Sequence, residues 1–259
     1  MIALEAKNLT KQYGQLLAVN HLSFQLREGE ILSFLGVNGA GKTTTLRMLA
    51  GILRPSSGII TVCGHDINTD SRLAKSKTGF IPDMPHVYPR LTGREYLEFV
   101  AELYGVPKAE VPARIAELLE HYRLTPWANE LTGSYSHGMR QRLSTCAALI
   151  FKPHVLILDE PMVGLDPHGA KLLKDSLREY ANNGLAVLLS THSLNVAEEI
   201  ADRIAIIHAG TVLATGTLAE LKSLVPEAKS LEDIFLTLTT KAAKQSLEED
   251  GESVDYLPP

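Results

Sequence analysis

The chain is nearly without cysteine, has no apolar run long enough to cross a bilayer, and carries little excess of either charge. Each shortage excludes something. Cys63 and Cys146 have no metal-like spacing, which sets aside a disulfide scaffold or a cysteine-held metal. Both are expected to be small buried thiols in apolar surroundings, in a reducing compartment. No stretch approaches the ~18 apolar residues of a spanning helix, so any membrane span must come from another chain. A formal net charge of −5 offers no basic surface, and no nucleic-acid partner is expected. The start, Met1 to Lys7, lacks the charged head and apolar core of a signal peptide, which points to a cytosolic protein.

What is present is an ordinary globular composition, 45% hydrophobic and 21% charged over 259 residues. Residues 2–35 read as strands, with Leu22, Phe24 and Leu26 alternating with polar neighbours. Ile59 to Val62 and Thr78 to Ile81 read as further strands. The pattern then turns helical. Thr92-Gly93-Arg94-Glu95 fits a capping box, Val111, Ile115, Leu118, Leu119 and Tyr122 form an apolar stripe, and a third helix begins near Ser136. Continuous apolar strands return at Val155–Leu158 and Ala186–Leu189, as expected for a parallel sheet covered on both faces. Shorter strands follow at Arg203–His208 and Val212–Ala214. A last helix carries Leu231, Ile234, Phe235 and Leu238. Beyond residue 240 the chain becomes acidic and ends in Pro258-Pro259, and 241–259 is expected to be disordered.

The most informative segment is Gly36-Val37-Asn38-Gly39-Ala40-Gly41-Lys42-Thr43-Thr44. It follows the apolar run Ile31–Leu35 and opens a helical pattern, the strand–loop–helix setting of a phosphate-binding loop. Its glycines let successive N–H groups converge on phosphate oxygens at a helix N-terminus. Lys42 reaches the β- and γ-phosphates, and the Thr43 hydroxyl sits on Mg²⁺. The simpler reading, a Gly-rich turn capping an ordinary helix, does not require this spacing.

Two further features fall at strand ends. Asp159-Glu160 closes the Val155–Leu158 run, where one carboxylate can reach nucleotide-bound Mg²⁺ and the other can polarise an attacking water. Solvated turn acids are the plain alternative. His192 follows Ser190-Thr191, on the edge of an open α/β sheet where ligands bind, and can hydrogen-bond a γ-phosphate. A lone histidine often satisfies only a local bond.

These residues resemble the ATP-binding subunits of ABC transporters. Tyr13 stands where that family places a ring that stacks on adenine. Ser136-His137-Gly138-Met139-Arg140-Gln141-Arg142 occupies the place of its LSGGQ signature. Gly164-Leu165-Asp166-Pro167 resembles its D-loop, and Ser190-Thr191-His192 its switch histidine.

The resemblance covers about residues 1–240. It implies an α/β fold: a P-loop NTPase (RecA-like) core with a mostly parallel sheet, an N-terminal antiparallel β subdomain and a helical insertion over about 86–150. It also implies two subunits, identical or paralogous, dimerised head to tail around two ATP. Each ATP would be shared between one phosphate loop and the opposing Ser136–Met139 segment, with Ser136, Gly138 and Asp166 among the nucleotide-binding residues. Glu160 would be the general base, with His192 on the γ-phosphate. Thr43, Asp159 and Asp83 would face Mg²⁺, although Asp83 stands where most of the family has a Gln, and a carboxylate cannot donate a hydrogen bond.

His137 replaces the first signature glycine and Met139 the glutamine. The end, Ser230 to Leu236, is similar to the C-terminal helix of subunits serving ABC-2-type exporters. The function implied is ATP-driven export through a separate transmembrane permease, on the cytoplasmic face of a membrane. The competing readings are a soluble ABC ATPase acting on ribosomes or DNA, and a small-molecule kinase. The first usually has a second phosphate loop or long heptads. The second lacks the Ser136–Met139 and His192 elements. This chain has neither of the former and both of the latter.

Overall fold

The structure, a computed structural model, describes residues 1–249, with side chains to Lys244. One sheet is antiparallel. It is built from β1 (Ile2–Tyr13), β2 (Leu16–Arg27), β4 (Ser57–Val62) and the short β5 (His65–Asp66), in the order β2-β1-β4-β5. Gly14, at φ +58, makes the tight turn between β1 and β2. Pairing Ala6 with Phe24 and Leu9 with Leu22 puts the alternating apolar residues on one buried face.

The second sheet has the order β10-β9-β3-β8-β7-β6. Its strands are β3 (Ile31–Leu35), β6 (Thr78–Ile81), β7 (Val155–Asp159), β8 (Ala186–Thr191), β9 (Arg203–His208) and β10 (Thr211–Gly216). All pairs are parallel except β9–β10. Every residue of β3, β7 and β8 is buried, which is why their sequences run apolar without alternation. The two sheets share a core that also takes in α1 (Lys42–Leu49), and Phe24 meets Phe34 edge to face across it, with centroids 4.9 Å apart.

The expected helical segment is α3 (Gly93–Leu103), α4 (Val111–His121) and α5 (His137–Leu149). The Thr92–Glu95 capping box forms with both reciprocal bonds, and Ser136 caps α5. Leu97, Ile115, Leu119 and Leu143 pack with Leu156 and Leu158 of β7, so this segment is continuous with the core of the sheet. Cys146 is fully buried there, and burial pushes its thiol far up. Cys63, expected to be buried, is only half-buried in a left-handed turn at φ +48.

The other helices are α2 (Ser71–Ser76), α6 (Pro167–Asn182), α7 (Leu194–Ile200), α8 (Leu218–Leu224) and α9 (Leu231–Glu249). The stripe of α9 behaves as its spacing predicts: Leu231 and Ile234 are buried against β9 and α8, with Phe235 and Leu238 packed beside them. This helix continues to Glu249, past the expected start of a disordered tail at 241. Among 241–249 the run Lys-Ala-Ala-Lys-Gln-Ser-Leu-Glu-Glu is rich in strong helix formers, and it prolongs a helix already anchored by packing. The remainder of that expected tail, 250–259, lies outside the described residues.

Candidate functional site

The phosphate loop leaves the buried end of β3 and turns into α1. Gly36 N–H donates to Thr191 O at 3.3 Å, tying the loop's start to the neighbouring strand end. Gly41 caps α1 at φ +96, a conformation L side chains rarely adopt, and a Cβ there would lie 2.5 Å from Ala18 O. The loop is therefore wedged under β2 and tied to a second turn. Gly210, between β9 and β10, donates to Ala40 O at 2.9 Å and accepts from Asn20 N–H at 2.9 Å.

Lys42 is buried, and its Nζ curls back over the loop. It donates to Gly36 O at 2.7 Å and Val37 O at 3.2 Å, and lies 3.6 Å from Glu160 Oε1. His192 Nδ1 stands 3.0 Å from the same Glu160 oxygen, close but not aligned as a hydrogen bond. Lysine, glutamate and histidine thus converge from three elements at the mouth of the loop.

The parallel register of β7 and β8 sets Asp159 beside Ser190. The Ser190 hydroxyl donates to Asp159 Oδ1 at 2.6 Å and accepts from Glu160 N–H at 3.0 Å. Glu160 itself sits at φ +46, left-handed for a non-glycine residue, which turns the chain sharply out of the strand. Asp159 is 1% exposed, and its Oδ2 is buried without a hydrogen-bond partner. Burial pushes this carboxyl above its usual range; the Ser190 and Thr43 hydroxyls oppose the shift, while the charges of Asp83 and Glu160 add to it.

A cleft of about 540 Å³ opens over this assembly. Its walls include Asn38 through Thr44, with Tyr13, Asp83 and Glu160. The ring of Tyr13 is half-exposed at the rim, with Lys11 Nζ 5.0 Å from its centroid. A second cavity of about 560 Å³, between Leu118, Lys152 and Tyr180, contains none of the expected site residues.

Ser136, Gly138 and Asp166 line neither cavity. Ser136 Oγ accepts from Met139 N–H at 3.2 Å, so its own O–H remains available to donate. Asp166 accepts from Gly169 N–H at 2.7 Å as the cap of α6, which holds its carboxyl below the usual range. The sequence reading missed Leu16–Ala18 and the Ala209–Gly210 turn, which also wall the cleft. Among the described residues, no cluster of three or more His, Cys, Asp or Glu is placed to hold a metal ion by itself. A cation here must take further oxygens from a ligand or water.

The family model described as ABC transporter matches residues 19–163. The chain is 39% identical to the linearmycin resistance ATP-binding protein of Bacillus subtilis, over 85% of its own length and 71% of that protein's. It is 38% identical to the Nod factor export ATP-binding protein I of Burkholderia orbicola, over 82% and 70%. A solved ATP-binding subunit of an ABC transporter superposes with a TM-score of 0.87 at 32% identity, covering 92% of this chain and 100% of that one. An ATP-binding cassette solved as a dimer in a post-hydrolysis state, with ADP and phosphate bound, gives 0.76 at 25% identity over 83% and 98%.

Proposed function

This chain belongs to the ABC transporter family and is an ATP-hydrolysing cassette; from that premise we propose that it powers export through a separate membrane permease, working as a head-to-tail dimer. The observation that carries this reading is a divided site. Lys42, Thr43, Asp83 and Glu160 gather at one cleft with Asp159 buried behind Glu160, while Ser136, Gly138 and Asp166 stand outside it at the starts of α5 and α6. A helix start with a free hydroxyl suits an anion, but no phosphate in the chain's own cleft meets it. A second copy, inverted, would bring it to one.

On this reading the amides of the loop and the Lys42 ammonium take the β- and γ-phosphates of ATP. Tyr13 stacks on the base at the rim. Thr43 and Asp159 suit Mg²⁺: the orphaned Asp159 Oδ2 is a buried acceptor lacking a donor, as a cation ligand requires, and Asp83 supplies a further oxygen on the cleft wall. A metal held by these residues would neutralise charge developing on the phosphate oxygens. Glu160 accepts the proton of the attacking water. His192, already 3.0 Å from that carboxylate, turns to the γ-phosphate once ATP separates Lys42 from Glu160.

The 1–240 segment acts as the ATPase domain. Export is supported by relatives named for resistance and export, and the membrane face is reached through the partner. No described helix is long and apolar enough to cross a membrane. The test replaces Glu160 by Gln, which should lower turnover ~10²–10⁴-fold while leaving ATP binding intact. Gel filtration with saturating ATP should then show a dimer. A Glu160→Gln variant that stays monomeric sinks the head-to-tail mechanism. Purification with a multi-span membrane protein tests the permease, and a freely soluble enzyme with no such partner overturns it.

A further inference from the structure

The imidazole of His137 is folded back onto its own subunit. Its Nε2 lies 3.3 Å from Val163 O, and since a carbonyl oxygen only accepts, the bond forms in the tautomer that carries its proton on Nε2. The ring rests directly on Gly164: a Cβ at that position would come within 2.5 Å of His137 Cδ2 and 2.8 Å of Nε2. Gly164 has φ +76, so the chain turns there in a conformation glycine adopts freely and other residues resist. Next to the ring, a Cβ on Gly138 would meet Leu165 Cδ2 at 3.6 Å, an ordinary packing distance. The start of α5 and the turn ahead of α6 are therefore in direct contact through residues 137–138 and 163–165. Beyond each side of the contact lies a helix cap, Ser136 on one and Asp166 on the other.

The signature of the family has glycine where this chain has His137, and glycine can make neither the Val163 bond nor the ring contact. The added bulk lies against Gly164 and the Val163 carbonyl of the same chain. We propose that His137 is a positioning residue, fastening the start of α5 to the Val163–Asp166 turn so that Ser136, Gly138 and Asp166 meet the opposing subunit as one rigid surface. The proposal rests on the head-to-tail reading above. It adds that the surface needs no ordering at the moment of closure, because the imidazole has already fixed it.

The experiment measures the dissociation constant of the ATP-dependent dimer by sedimentation velocity, in the Glu160→Gln background. His137→Ala should weaken the dimer about tenfold, the effect of losing one hydrogen bond with its packing. Affinity of the monomer for a fluorescent ATP analogue should not change. His137→Gln, whose amide can donate to Val163 O, should recover most of the loss, which a merely structural role would not produce. If Glu160→Gln alone fails to dimerise, the head-to-tail reading falls. If Glu160→Gln dimerises and His137→Ala dimerises equally well, the positioning role falls while that reading stands. A loss that His137→Gln does not recover, or one matched by weaker ATP binding to the monomer, overturns the role as well.

Discussion

Asp159→Asn should make the nucleotide-free protein more stable and the catalyst worse. Asp159 is 1% exposed and keeps Oδ2 without a donor, so the ionised carboxylate is held where solvation is poor. A buried acceptor left unsatisfied costs about 1–3 kcal/mol. Asparagine keeps an oxygen for the Ser190 hydroxyl and turns its amide towards the charges of Asp83 and Glu160, which raise the Asp159 carboxyl at present. At about 2–4 °C per kcal/mol for a chain of this size, the apo melting temperature should rise by at least about 2 °C at pH 7.

The sign with pH follows from burial. The folded-state pKa lies above the unfolded one, so the native protein binds this proton more readily, and the associated stability is lost as pH rises through the raised value. The advantage of the variant should therefore shrink as pH falls towards the ordinary carboxylate range. With MgATP at a hundredfold excess over its dissociation constant, the wild type gains about 2.7 kcal/mol, and the variant, lacking the carboxylate proposed to hold the metal, should gain less. Differential scanning fluorimetry with and without MgATP reads both effects. An apo variant that melts at or below the wild type at pH 7 refutes the reasoning.

Lys42→Ala removes two charge-assisted bonds over the loop and the cation proposed to face the phosphates, and ATP affinity should fall at least about tenfold by equilibrium dialysis. Unchanged affinity would remove Lys42 from the phosphate site. Gly41→Ala places a Cβ 2.5 Å from Ala18 O at φ +96, which should cost at least ~1 kcal/mol in urea unfolding and weaken nucleotide binding together. A variant with normal stability and binding shows that the loop can move away from β2.

Much of the site was legible because its chemistry is local in sequence. The loop from Gly36 to Thr44, the acids ending β7 and the histidine after β8 each follow a buried strand, and the parallel register then brings those strand ends together. The capping box at Thr92 formed as its spacing requires. The same signal stands at Thr217 and Glu220, where α8 begins with both reciprocal bonds, and it went unread because the helix is only seven residues long. Other walls of the cleft left no local trace. Leu16–Ala18 and Ala209–Gly210 look like ordinary hairpin positions, and only the docking of β2 and the β9–β10 turn on the loop brings them there. The two-residue β5 is too short for any periodic signal.

The single hydroxyl of Ser190 holds the side chain of Asp159 and the backbone of Glu160 at once. The two acids proposed for metal binding and proton transfer are therefore anchored through one hydroxyl, and that hydroxyl belongs to the sheet. The Asp159 carboxylate and the Glu160 backbone cannot shift independently, while the Glu160 side chain keeps its own rotation. The Glu160 carboxylate, 3.6 Å from Lys42 Nζ and 3.0 Å from His192 Nδ1, is the part of the pair that partners outside the sheet can redirect. The sheet thus sets where both acids leave the strand, and only the last torsions of Glu160 are left for a ligand to choose.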